Sequence, residues 1–338
     1  MIEQTFAHHW PVYGHDWAVT HLIKSIANRR VRHAYLILGA ESVGKETLAR
    51  ALVMALNCQH PDASIRPCGE CRPCTLIANG NHPDVMYSEL DPNTGALKIE
   101  EIRSVMQRLA LKPFEARQRV AIFRDFDHAQ PRAQDALLKT LEEPSPHAML
   151  ILLAQSPEAL LPTITSRSQR LHLRPIPATT VRDVLINTYG ADEERATLLA
   201  RLSGGRLGWA ISALQDPARL DQRAEALDML ESILGMNRAG RFDMAEGLAK
   251  DKVGLGALLE LWQTYWRDVV LLCEGSRLFP ANHDRAERLE QLANRVQPDE
   301  ALAALRATGE TLQQLQYNLN TRLALEVMLL HYPGLARS

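Results

Sequence analysis

The sequence has no stretch approaching the roughly 18 to 20 uncharged apolar residues that cross a bilayer, and its first residues lack a basic segment followed by an apolar run. Neither a membrane-spanning helix nor a secretory leader is therefore expected, and a cytoplasmic location is. Positive charge is not in excess either: 38 lysines and arginines stand against 40 aspartates and glutamates. A chain so balanced has no field to hold a polyanion unaided, so any DNA contact is expected to be shared with partners. Cysteine is scarce outside one place. Four of the five lie between Cys58 and Cys74, and Cys273 stands alone in an apolar stretch, as a core residue would. In a reducing compartment such a cluster points to a metal site rather than to a disulfide framework.

What is present suffices for two or three domains, since 338 residues exceed the usual single-domain size. Ala34 to Leu38 is a short apolar run that ends at Gly39 and is followed by a helical pattern from about Glu46 to Leu56. Val120 to Phe123 and Met149 to Leu153 have the unbroken hydrophobicity of strands covered on both faces, with a helical stretch from about Arg132 to Glu143 between them. Strands alternating with helices predict a parallel sheet, so residues 1–174 read as an α/β domain with the cysteine module at 58–74 inserted. Pro175-Ile176-Pro177 breaks the pattern. A small helical unit with Gly204-Gly205 at its centre follows over 175–214, and leucine- and alanine-rich amphipathic helices fill 215–338. Among these are Arg223 to Leu234, Gly254 to Leu272 and Ala301 to Tyr317, whose apolar stripes form an internal core or pack on a neighbouring chain.

Three segments carry chemistry. Gly39-Ala40-Glu41-Ser42-Val43-Gly44-Lys45-Glu46-Thr47 fits a phosphate-binding loop through Gly44-Lys45: glycines let backbone N–H groups turn inward, the helix N-terminus adds positive charge, and Lys45 can reach the outer phosphates. A hydrolytic loop next places Ser or Thr, whose hydroxyl holds magnesium; here the residue is Glu46. Thr47 does not substitute, because one residue along a helix turns a side chain away by about 100°. A carboxylate beside phosphate is repelled by about 3 kcal/mol at about 5 Å and an effective dielectric of about 20, unless a cation lies between or the side chain swings out. Such a loop would hold ATP or ADP without efficient hydrolysis, or persist as a structural remnant. Its magnesium site is incomplete, since the end of the second long strand offers Arg124-Asp125 where a hydrolase sets a pair of carboxylates. Asp125 and Asp127 are the remaining candidates there, or they cap the following turn.

The spacing Cys58-x9-Cys68-x2-Cys71-x2-Cys74 brings three thiols round a tight turn relieved by Gly69, and four soft ligands suit a closed tetrahedral zinc. Nearby His60 and His82 read as ordinary surface histidines. Finally, Thr165-Ser166-Arg167-Ser168 sets an arginine on a serine-flanked turn, able to serve as a solvated or salt-bridged residue or to project a guanidinium toward a neighbour's phosphate.

In this order, with His33-Ala34-Tyr35-Leu36 entering the loop and Ala136-Leu137-Leu138-Lys139-Thr140-Leu141-Glu142-Glu143-Pro144 reading as one long helix, the chain resembles the bacterial DNA polymerase III clamp-loader AAA+ family. Trp10 to His15 is similar to that family's leading segment on the adenine, and Asn318 to Leu330 to the last helix of its collar. The resemblance implies a RecA-like AAA+ sheet, a helical lid and a helical collar used for oligomerisation. Its departures favour the delta-prime type over the gamma or tau motor. Glu46 replaces the loop hydroxyl, Arg124 and Asp125 stand at the places of the magnesium-binding aspartate and the catalytic glutamate, and Gly208 stands where a sensor arginine is expected, with Arg206 two residues away. Arg167 is retained, and Ser168 replaces the cysteine of the family's turn. The implied role is a subunit with no efficient ATPase of its own, which partners delta and gamma or tau and donates Arg167 in trans. It would meet the sliding clamp and primed DNA through the assembled complex. A motor of the gamma or tau type is the alternative.

Overall fold

A computed structural model of the chain describes residues 10–92, 94–251, 254–276, 280–315 and 320–334. They divide into two compact units, one running to Thr180 and including Gly205–Gly208, the other formed by Val181–Gly204 and the chain from Trp209 onward.

The first unit is organised by five strands: β1 (Ala34–Leu38), β2 (Val85–Tyr87), β3 (Arg119–Phe123), β4 (Ala148–Ala154) and β5 (Gln169–His172). All pair in parallel, in the order β2-β3-β4-β1-β5, with Ala34 opposite Leu150 and Leu38 opposite Ala154. Every position of β1 and β4 is buried, which is why these strands read as unbroken apolar runs. Alternate residues feed opposite faces: Ile37, Ile122 and Ile151 pack in one core, Leu36, Phe123 and Leu150 in the other. This is the AAA+-like α/β sheet the resemblance implies. The edge strands were not legible, β2 because it has three residues and β5 because it buries only Leu171.

Helices cover both faces: α1 (Asp16–Ala27), α2 (Lys45–Asn57), α3 (Arg72–Ala78), α4 (Ile99–Leu109), α5 (Pro131–Gln134), α6 (Leu138–Glu142) and α7 (Pro162–Arg167). The segment expected to be one long helix up to Pro144 is instead α5, a 3-10 turn over Asp135–Leu137, and α6. The break falls beside Gln134, whose fully buried amide donates to the carbonyls of Ala129 and Ala159 and accepts from the N–H of Leu161. That first turn is therefore pinned to the chain after β4 by tertiary bonds, and Pro144 disfavours helix at Glu143. The Leu141 carbonyl meets the His33 ring, 3.1 Å away, at the start of β1.

Asp84 is the buried anchor of the β2–β3 edge. Its carboxylate accepts from the N–H groups of Phe114, Glu115 and Ala116 at 2.8–3.0 Å and pairs with Arg119 at 3.2 Å. Burial opposes its ionisation, but these donors prevail and hold the carboxyl below the ordinary aspartate range. His82 is not a surface histidine as expected: it is 3% exposed and its Nδ1 accepts from the Asp84 N–H, while burial lowers its basicity.

The second unit is helical, as expected. The series is completed by α8 (Ala178–Tyr189), α9 (Glu193–Leu202), α10 (Leu207–Gln215), α11 (Ala218–Leu234), α12 (Arg238–Leu248), α13 (Leu255–Cys273), α14 (Ala286–Ala293), α15 (Pro298–Gln314) and α16 (Thr321–Leu330), of which only Ala178–Thr180 and Leu207–Gly208 belong to the first unit. Tyr317, Asn318 and their neighbours from 316 to 319 lie outside the described residues. Trp262, Tyr265 and Trp266 of α13 fill the core, with the Trp266 and Tyr332 rings edge-to-face at 5.2 Å. Buried Arg241 donates to the carbonyls of Leu329, Tyr332 and Pro333, satisfying the end of α16. Cys273 is half-buried against this core, its thiol pushed up by burial. No helix among the described residues is long and apolar enough to cross a membrane.

Replacing Asp84 by alanine strands three N–H groups and Arg119, and urea unfolding at neutral pH should show a loss of about 3 kcal/mol. Because its carboxyl is depressed in the folded chain, the Asp84 contribution is complete above the ordinary carboxylate range and fades as pH falls through the lower folded value. The variant should therefore lose less to acid than the parent, and parallel acid titrations of the two check it.

Candidate functional site

The loop after β1 is shaped by close approach. Gly39 has φ +146°, and a Cβ there would lie 2.5 Å from the Leu173 carbonyl oxygen. Gly44 is left-handed at φ 109° and caps α2. The loop's carbonyls are met from within: Lys45 is 9% exposed and its ammonium donates to Gly39 O and Ala40 O, the latter at 2.9 Å. Val43 O is 3.0 Å from His15 Nε2, and Ser42 O accepts from the N–H of Gly208 at 2.9 Å. Gly208 thus does more than lack a sensor arginine. Any Cβ at that position would stand 2.9 Å from Ser42 O, so the backbone contact itself requires glycine.

Glu46, in the first turn of α2, is half-exposed and turned to two guanidiniums. Its Oε1 accepts from Arg124 Nη2 at 2.6 Å and from Arg50 Nη2. Both arginines lie over the Tyr87 ring, Arg124 at 4.4 Å and Arg50 at 5.5 Å from its centroid. The Arg124 N–H donates to Ser88 Oγ, fixing the end of β3 to that of β2. The structure therefore brings together Gly39, Gly44, Lys45, Glu46 and Arg124. Thr47, by contrast, is exposed. Asp125 caps a 3-10 turn over Phe126–His128 in a left-handed conformation, and Asp127 beside it is 7% exposed with Oδ1 unpartnered among the described residues. Burial pushes the Asp127 carboxyl up, against the pull of His128 and Lys45.

The cysteines converge at the far end of α2. Cys58 is its C-terminal cap, Cys71 caps α3, Cys74 lies in the first turn of α3, and Cys68 precedes Gly69 at φ +77°. Their four Sγ atoms lie within 4.8 Å of one another, Cys58 being 3.6 Å from Cys68 and 3.9 Å from Cys71. Four thiolates held at about 2.3 Å from one tetrahedral ion stand about 3.8 Å apart, so the set fits a single metal ion. The N–H groups of His60 and Cys71 donate to Cys58 and Cys68 sulfur. Burial pushes the Cys58 and Cys74 thiols up; at Cys68 it is outweighed by N–H and thiol donors that bring the value to about 6. A shared cation is what would ionise all four.

Arg167 ends α7, well apart in sequence from the loop, and is held by its own surroundings: Nη1 donates to Thr163 O at 3.2 Å and Nη2 pairs with Glu142 at 3.0 Å. Both partners are partly exposed, so the pair contributes under about 1 kcal/mol and opens readily. The Ser168 hydroxyl is buried with no protein partner among the described residues, consistent with a position that suits a less polar side chain. Sequence reasoning missed Arg50, Tyr87 and Glu142. The Glu46–Arg50 spacing of four was readable as a helix pair; Tyr87 depended on a strand too short to see.

The chain matches the family described as "DNA polymerase III, delta subunit" over residues 14–177 and "DNA polymerase III, delta subunit, C terminal" over 217–333. It is 26% identical over 313 residues to DNA polymerase III subunit delta' of Bacillus subtilis, covering 91% of this chain and 93% of that one. To subunit delta' of Pseudomonas aeruginosa it is 31% identical over 204 residues, 60% of this chain and 61% of that one. To subunit tau/gamma of Haemophilus influenzae it is 29% identical over 238 residues, 69% of this chain but 34% of that one. It thus spans about a third of the length of the tau/gamma-type relatives it matches. The chain belongs to the DNA polymerase III delta-subunit family.

Gly208→Ala should break the Gly208–Ser42 backbone contact and cost about 1–3 kcal/mol in chemical unfolding. A neutral result would remove the requirement for glycine.

Proposed function

We propose that this member of the DNA polymerase III delta-subunit family works as the delta-prime-type subunit of a replicative clamp loader. In this role it is a cytoplasmic partner of delta and gamma or tau that assists ATP-driven loading of the sliding clamp on primed DNA. The observation that carries the subunit type is the Glu46–Arg124 pair. A motor needs a hydroxyl and a metal-binding carboxylate at those two places, and this chain has a carboxylate and a guanidinium bonded to each other. The match to subunit delta' over nearly the whole chain agrees with it. Any ATP or ADP taken by the degenerate site of Gly39, Gly44, Lys45, Glu46, Thr47 and Asp125 is accordingly not turned over efficiently.

In the assembled loader Arg167 leaves Glu142 for the terminal phosphate of the neighbour's nucleotide, where its planar fork stabilises transition-state charge. The second unit supplies the collar, and its last helix supports this: Leu323, Val327 and Leu330 lie on α16 at helical spacing and are 56%, 48% and 44% exposed. The four cysteines hold a structural zinc ion, which ties α2 to α3 and leaves no open position for catalysis. The motor alternative is favoured by the match to tau/gamma chains over about two thirds of the sequence.

In a reconstituted loader Arg167→Ala should leave assembly intact while the one site it serves slows on the order of 10³-fold, seen as a clear fall in DNA-stimulated ATPase. Unchanged turnover would remove the finger assignment. Magnesium-dependent ATP turnover by the purified chain alone, abolished by Lys45→Ala, would instead establish the motor. Metal analysis should find one equivalent of zinc in the fresh protein and much less in Cys71→Ser, with a lower melting temperature; because thiolates are the ligands, zinc retention should weaken as pH falls.

A further inference from the structure

Magnesium is the ion a phosphate loop of this type ordinarily works with, and the residues here do not fit it. Magnesium requires oxygen donors in near-octahedral array, and a guanidinium offers none. Arg124 places five N–H donors and a full positive charge at the end of β3, while Glu46 occupies the loop position that should supply a hydroxyl oxygen.

The two departures are not independent losses. They lie 78 residues apart in the chain and meet at 2.6 Å, and Arg50 closes on the same carboxylate oxygen from the next turn of α2. Tyr87 lies beneath both guanidiniums, and the Ser88 hydroxyl fixes the backbone at Arg124. One carboxylate between two guanidiniums leaves a net positive charge on the cluster, which is carried by Glu46, the residue that follows Lys45 at the start of α2. The repulsion that an isolated Glu46 would exert on a phosphate is thereby cancelled by an arginine held in place by three separate elements: α2, β2 and β3.

We propose that Arg124 is a built-in replacement for the divalent cation, so that the loop excludes magnesium and any nucleoside di- or triphosphate it takes is bound without metal. Glu46 then acts as the positioning residue that holds the guanidinium at the head of the loop, and Arg50 and Tyr87 keep it there. The inference rests on the loop being a degenerate phosphate site but not on the subunit's place in a loader. Its test therefore uses the isolated full chain, and the Arg167 experiment can fail without touching it.

The measurement is a titration with a fluorescent ATP analogue in excess EDTA and, separately, in millimolar magnesium, on the parent and on the Glu46→Ser, Arg124→Asp double variant, with thermal melting to check folding. Equal affinity of the parent in both buffers, to within about twofold, supports the proposal. Parent binding that weakens by about tenfold or more in EDTA overturns it. If the parent takes no analogue in either buffer, the double variant decides. A gain of magnesium-dependent binding supports exclusion of the metal by the pair, and no gain overturns it. Should the double variant not fold, Arg124→Asp alone removes the guanidinium and supplies the missing carboxylate while Glu46 keeps Arg50, and the same two outcomes apply.

Discussion

A carboxylate at the first turn of α2 beside a loop made for anions needs a cation, and the site is arranged around meeting that need. Glu46 finds Arg124 and Arg50, and those guanidiniums in turn need a surface that does not compete for the charge. The Tyr87 face supplies it, which requires β2 to pair with β3 in the observed register, Tyr87 opposite Ile122. That register is itself secured by buried Asp84, the residue immediately before β2 begins. One substitution in a loop therefore reaches, through identifiable bonds, to the edge of the sheet.

The same loop illustrates how backbone polarity is satisfied when no ligand is required to do it. Lys45, His15 and Gly208 answer the carbonyls of Gly39, Ala40, Val43 and Ser42. A loop whose acceptors are already paired keeps its shape empty, since unpaired buried carbonyls would otherwise favour rearrangement. The glycine that stands where a sensor arginine was expected belongs to this accounting, because only a residue without Cβ brings its N–H to Ser42.

The sheet was legible where burial was complete. Unbroken apolar runs gave β1, β3 and β4 almost to the residue, since strands covered on both faces need no polar alternation. The edges β2 and β5 carry little apolar signal, and the kinked segment before Pro144 hid a break that depends on Gln134 reaching residues 25 positions away. At the site, residue types were readable and partnerships were not. Glu46 and Arg124 each stood out as a departure from a hydrolytic pattern, yet nothing in their spacing said that they meet, because contact across a parallel sheet is set by strand order. The cysteines were the reverse case: their close spacing constrains the chain to bring them together. His82 was misjudged for want of the knowledge that Pro83-Asp84 turns inward and carries the ring with it.

Helix α2 joins the two devices. It begins at the loop and ends at Cys58, and its 13 residues span about 20 Å. Between its ends Leu48, Leu52 and Val53 are fully buried, so hydrophobic packing sets its position on the sheet but not its rotation or its slide along its own axis. Non-directional burial is tolerant of small shifts, whereas a bonded carboxylate at one terminus and a four-thiol cluster at the other are not. The helix that a motor subunit couples to its phosphates is here fixed by charge at its start and by cysteine geometry at its end.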